Sequence, residues 1–116
     1  MPLSEFEAAR VRKAVGAFIE RRRPPHQARA EVDLGFHISG HSVELFEVRP
    51  IWQGPPSEKL EHPFAKATFV RSKNHWRVFW MRQDLKWHGY SPAPQVATIE
   101  EFIALVQEDA HACFFG

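Results

Sequence analysis

The chain has 116 residues, of which 44% are hydrophobic and 13% aromatic, and its 15 Lys and Arg nearly balance 14 Asp and Glu. This length and composition predict one globular domain over residues 1–116 that builds its core without metal or disulfides. The net charge of +1 provides no overall basic field for nucleic acid, and no apolar run reaches the ~20 residues that cross a bilayer. The single Cys113 and the absence of a signal-peptide pattern at the N-terminus favour a cytoplasmic protein.

The first predicted element is a helix. Ser4 and Glu7 have the spacing of a capping box, in which each side chain binds the backbone N–H of the other residue. Hydrophobic residues then recur at helical spacing. Because Pro24 and Pro25 offer no amide donor, they must end the helix. The pattern predicts a helix over residues 5–22.

A first hairpin follows the helix. Apolar and polar residues alternate over residues 29–39, which predicts a half-buried strand, and a loop at Ser39-Gly40 leads into a second strand. With that loop, residue 36 pairs with 43, residue 34 with 45 and residue 32 with 47. Glu47 then lies on the inward face near Arg49 and near Lys66 or Arg82, which predicts a structural ion pair, with an active-site acid as the alternative. The proline-rich segment 53–63 is expected to be a loop.

A second hairpin is expected from strands over residues 64–72 and 75–82. The predicted register places one face towards the helices, with Ala65, Ala67 and Phe69 opposite Arg82, Trp80 and Val78. The other face then carries Lys66, Thr68 and Val70 beside Met81, Phe79 and Arg77. After residue 82 the chain either continues the strand past a bulge or folds back as a short fifth strand.

A second capping box, at Thr98 and Glu101, predicts a helix over residues 99–109. The element order predicts a single α+β domain, with a four- to five-stranded antiparallel sheet of two hairpins and both terminal helices on one face. We expect Phe114 or Phe115 to dock on the domain or on a second subunit, because two exposed phenylalanines would be aggregation-prone. The predicted core comprises Val15, Phe18, Val32, Leu34, Phe36, Leu45, Phe69, Val78, Trp80, Phe102 and Val106.

Four phrases of the sequence resemble a known family: AVGAFIERRRPP, SVELFEVRP, HPFAKATFVRSKNHWRVFWMRQDLKWHGY and HACFFG. Together they resemble small bacterial proteins grouped as the domain of unknown function number 3024. The resemblance covers nearly the whole chain and implies a bacterial source. It implies no activity, cofactor or catalytic residue.

Residues 75–90 form the most unusual stretch, with three of the 4 tryptophans, the only tyrosine and two of the 7 histidines. One strand cannot bury so many amphipathic rings, so we expect some of them to face a partner. Aromatic residues beside arginine are typical of protein contacts and of base stacking on single-stranded nucleic acid. We therefore predict a non-enzymatic binding module, monomeric or homodimeric and without membrane contact, with the binding residues Trp52, Trp76, Arg77, Lys86, Trp87, His88 and Tyr90.

The alternative is a small nucleic-acid-processing enzyme, so enzymatic activity stays open. A metal-free ribonuclease would use His88, Tyr90 and Arg82, which share a face if the strand runs on unbroken. A metal-dependent nuclease would need Asp33 and Glu47 on one metal, yet the predicted register points them to opposite faces. The sequence contains no Gly-rich phosphate loop or zinc-protease motif, and we predict neither a metal nor a cofactor.

Overall fold

The computed structural model describes residues 3–23, 25, 27, 33–50, 59–109 and 114. It confirms the α+β class, with two helices and an antiparallel sheet in one domain. In chain order the elements are α1 (Glu5–Arg22), β1 (Asp33–Ser39), β2 (Ser42–Pro50), β3 (Lys59–Val70), β4 (His75–Met81), β5 (Trp87–Gly89), β6 (Gln95–Val96) and α2 (Ile99–Glu108).

Both helices begin at the predicted caps. The Ser4 hydroxyl accepts from the Glu7 backbone N–H at 3.1 Å, and the Ser4 N–H donates to the Glu7 carboxylate at 2.8 Å. The Thr98 hydroxyl likewise accepts from the Glu101 N–H at 3.2 Å. Because these side chains satisfy N–H groups that have no partner inside the helix, the first turns are fixed by local sequence. None of the helices among the described residues is long and apolar enough to cross a membrane.

The sheet has the strand order β1-β2-β3-β4-β5, and β6 pairs with β4 beside β5. In the first hairpin Phe36 pairs with Leu45 rather than with Val43, so the predicted register is wrong by two residues. The loop is Gly40-His41, and Gly40 takes a left-handed φ of 60° that favours glycine. A shift of two residues keeps every side chain on its predicted face.

The second hairpin differs from its predicted register in the same way. Ala67 pairs with Val78 rather than with Trp80. Residues 71–73 form a 3₁₀ turn that ends at Asn74, whose φ is 51°. This longer connection moves the pairing by two residues and again preserves the faces.

Strand β3 is longer than predicted. Residues 59–63 belong to the strand and not to a loop, and the prediction for 53–58 lies outside the described residues. Leu45 pairs with Ala65 and Phe46 pairs with Pro63, which leaves Phe64 as the extra residue of a β-bulge. A bulge of this kind accommodates a proline within a strand.

The core lies between the helices and one face of the sheet. Of the predicted core residues, the buried ones are Val15, Phe18, Leu45, Val78, Phe102 and Val106, whereas Leu34, Phe36, Phe69 and Trp80 are partly buried against the same cluster. Val32 lies outside the described residues. Phe114 is 4% exposed and packs on Tyr90, with 4.8 Å between ring centroids, which confirms that this phenylalanine docks on the domain.

Candidate functional site

The sheet has one face covered by helices and one that no described helix or strand covers. Residues directly opposite one another on antiparallel strands share a face. Ala67 and Val78 are paired and belong to the core under the helices. Lys66 and Phe79 are the neighbouring pair, so they point the other way. We call this second surface the open face.

Four side chains on the open face form an aromatic–cation cluster: Lys66, Arg77, Phe79 and Trp87. The Lys66 ammonium lies 5.1 Å from the ring centroids of both Phe79 and Trp87. The Arg77 guanidinium lies 5.4 Å from the Phe79 centroid. These distances fall within the range of cation–π attraction. Both rings remain partly exposed, so each retains aromatic surface towards solvent.

The cluster is locally cationic although the whole chain is nearly neutral. Neither Lys66 nor Arg77 forms an ion pair with a described residue. Strands β4 and β5 contain no acidic residue, and Glu44 is the acidic residue opposite Lys66 on β2. A ligand on this part of the sheet therefore meets two cations and two rings.

The β1–β2 side of the open face has a different character. The His37 ring stacks on Phe46 with centroids 4.4 Å apart, and its Nε2 lies 2.8 Å from the Glu61 carboxylate. Phe46 also lies against Gly35, where an added Cβ would stand 2.7 Å from the ring. His37 and Gly35 cover the Phe46 ring on this side of the open face. The accessible aromatic area therefore lies towards β4 and β5.

A short turn joins β4 to β5 and folds the chain back into a short fifth strand, which is one of the two alternatives predicted from the sequence. Asp84 accepts a hydrogen bond from the Lys86 N–H at 3.0 Å, and its other oxygen lies 2.8 Å from His88 Nε2. Two hydrogen bonds lower the pKa of Asp84 below its ordinary value: the one with His88 contributes most, and the one from the Lys86 N–H contributes less. The turn is therefore closed by its own side chains.

The structure separates the seven predicted binding residues. Arg77 and Trp87 lie on the open face, and Lys86 is exposed in the turn. Trp76 and Tyr90 are 6% and 2% exposed, so their prediction as surface residues is wrong. Their rings are part of the core.

The two remaining predicted binding residues have other positions. His88 lies opposite Trp80, on the sheet face that the helices cover elsewhere. Trp52 lies outside the described residues. The predicted binding residues that the structure describes therefore do not share one surface.

The residues of the ribonuclease alternative do not form one exposed group. The turn at residues 82–86 interrupts the strand that would have aligned them. Arg82 lies over the Trp80 ring at 5.5 Å, His88 binds Asp84, and Tyr90 is buried. Tyr90 therefore cannot approach a substrate from solvent.

The residues of the nuclease alternative point to opposite faces, as predicted. Asp33 pairs with Val48, whereas Glu47 pairs with Leu34. Arg23 donates to both Asp33 oxygens at 2.7 Å. Among the described residues, no group of three or more His, Cys, Asp or Glu side chains is placed to hold a metal ion.

Glu47 forms the predicted ion pair with Arg49, at 2.7 Å between Oε2 and Nη2.

The sequence did not single out Lys66 and Phe79 as site residues. The signal was nevertheless present, because the predicted second hairpin places both on the face away from the helices.

The fold and this surface define a small α+β domain with an open sheet face that carries aromatic and cationic side chains. A family model described as Domain of unknown function (DUF3024) matches residues 3–116, and the chain belongs to this family. No curated protein and no solved structure matches the chain.

Proposed function

We propose that the protein is a non-enzymatic module that binds single-stranded nucleic acid on its open face. The observation that carries the proposal is the position of Lys66 between the partly exposed rings of Phe79 and Trp87. Unpaired bases stack on aromatic side chains, while lysine and arginine contact the phosphates between them. The cluster supplies both kinds of group within one short stretch of sheet.

The charge distribution favours nucleic acid over a protein partner. The centres of protein interfaces are depleted in lysine, because its charge must lose water there. Lys66 lies at the centre of the cluster, and its flexible stem lets the ammonium move from a ring to a phosphate while a base takes its place. We also propose that the protein acts in the bacterial cytoplasm, which its single cysteine fits.

Fluorescence anisotropy with labelled single-stranded oligonucleotides, DNA and RNA, tests the proposal. Stacking of one base is worth about 1–3 kcal/mol, so Trp87→Ala should weaken binding roughly 5- to 150-fold. Phe6→Ala is the matched control, because Phe6 is an 81% exposed ring on α1. This control should bind like wild type.

Charge reversal provides a second pair of variants. Lys66→Glu should weaken binding and reduce the slope of log K against log salt concentration by about one or two. Lys13→Glu makes the same charge change at an exposed position of α1 and should have little effect on binding. No binding by wild type at low salt, or equal binding by wild type and Trp87→Ala, would contradict the proposal. A partner protein captured by wild type but not by Trp87→Ala, without oligonucleotide binding, would identify a protein-binding face instead.

RNA cleavage is the second candidate function, and the His88–Asp84 pair at 2.8 Å is the observation that favours it. A carboxylate that orients a histidine is a common arrangement in acid–base catalysis. Labelled RNA incubated with wild type and with His88→Ala distinguishes the two candidates. RNA that stays intact with wild type, or is cleaved equally by His88→Ala, excludes catalysis by this pair.

A further inference from the structure

The turn between β4 and β5 holds a leucine in an unusual conformation. Leu85 has a φ of 62°, in the left-handed region that glycine and asparagine ordinarily occupy. Its side chain is 81% exposed. The position therefore combines a disfavoured backbone with an apolar side chain in water, and neither feature stabilises the fold.

Hydrogen bonds around the turn impose this conformation. The Leu85 N–H donates to the Arg82 carbonyl at 2.9 Å, and the Arg82 N–H donates to the Lys86 carbonyl at 3.3 Å. Asp84 accepts from the Lys86 N–H and lies in hydrogen-bond contact with His88. Strained residues that are held by their surroundings occur preferentially where a protein contacts a ligand.

The neighbours of Leu85 match the chemistry of the open face. Arg82 and Lys86, both exposed, flank the turn. Trp87 follows Leu85 by two residues, so their Cα atoms lie within about 7 Å of each other. An exposed leucine between two cations thus stands next to the aromatic–cation cluster.

We propose that Leu85 is an apolar wedge at the end of the nucleic-acid path, and the inference rests on the function proposed above. In this arrangement one base stacks on Trp87, and Leu85 packs against the next base and separates it from its neighbour. Lys86, exposed in the turn beside Trp87, contacts the adjoining phosphate. Leucine is among the side chains that nucleic-acid-binding proteins insert between bases.

The test uses Leu85→Gly and Leu85→Asn, which remove the wedge and also relieve the backbone. The melting temperature should rise by about 2–5 °C, because both residues accept a left-handed φ more easily than leucine. The affinity for a labelled single-stranded oligonucleotide should fall about five-fold or more. Leu60→Ala is the control, because Leu60 is a 52% exposed leucine on β3, and it should bind like wild type.

The outcomes separate the wedge from the open face. Unchanged affinity of both Leu85 variants, with weakened binding by Trp87→Ala, overturns the wedge and leaves the proposed function standing. Failure of wild type to bind any oligonucleotide overturns both. Binding of wild type, but not of Leu85→Gly, to anionic phospholipid vesicles, with oligonucleotide affinity unchanged, would make the turn a membrane contact and overturn the wedge.

Discussion

Phe114 should be a major source of stability although it lies near the end of the sequence. Its side chain is 4% exposed, its ring packs on Tyr90, and its backbone N–H donates to Asp109 Oδ1 at 3.0 Å. Replacing an enclosed phenylalanine with alanine costs about 3–5 kcal/mol. Phe114 regains about 1–2 kcal/mol of conformational entropy when its contacts are lost, so we expect a net loss of about 2–3 kcal/mol.

Thermal unfolding followed by circular dichroism measures this loss. For a domain of this size, the melting temperature of Phe114→Ala should fall by about 8–15 °C. Phe6→Ala removes the same ring from an 81% exposed position and should change the melting temperature by only a degree or two. Equal melting temperatures for the two variants would refute the inference that Phe114 docks on the core.

Two further predictions concern packing and pH. Gly35→Ala should destabilise the fold by about 1–3 kcal/mol in urea unfolding, because the new Cβ would stand 2.7 Å from Phe46 Cζ. In Gly16→Ala the new Cβ meets nothing within 4 Å, so this substitution in α1 should stabilise the fold by about 0.5–1 kcal/mol. An equal decrease in the free energy of unfolding for both variants would contradict the packing argument. Hydrogen bonds from the Arg71 guanidinium lower the pKa of Glu7 from 4.5 to about 2, so their stabilisation is present above pH 4.5 and lost as pH falls towards 2. The melting temperature of Glu7→Gln should therefore fall less over that range than that of wild type, and parallel curves would contradict the role of this pair.

The helices and the sheet faces were predictable because their signals are local. The N-cap residues Ser4 and Thr98 set the helix starts, although only Ser4 forms the reciprocal capping box that both sequence patterns predict. The prolines at 24 and 25 predicted the end of the first helix. Alternation with period two decides which face a side chain takes, and it is unaffected by a shift of two residues. The positions and lengths of the loops were not predictable to the same degree, because they depend on which residue takes a left-handed φ. Gly40 and Asn74 both do so. The first loop keeps its two residues but moves by one position, and the second grows from two residues to four, so the strand pairing shifts by two residues in each hairpin.

The candidate site was predictable only in part, because it also depends on a turn whose conformation the sequence does not specify. The richness of residues 75–90 in aromatic rings indicates a functional surface, but it does not say which ring faces solvent. Alternation along β4 buries Trp76, and the turn over residues 82–86 determines that Trp87 emerges on the open face. The left-handed Leu85 that closes this turn has no sequence signal, since leucine is not a residue that turn rules place there.

Chemical-shift mapping tests the central claim most directly. A ¹H–¹⁵N correlation spectrum of the labelled protein should be recorded while an unlabelled single-stranded oligonucleotide is added. We predict that the largest changes occur at the backbone amides of Lys66, Arg77 and Phe79, and at the indole N–H of Trp87, with little change in α1 and α2. Shifts confined to the helices, or an unchanged spectrum at saturating oligonucleotide, would contradict binding on the open face.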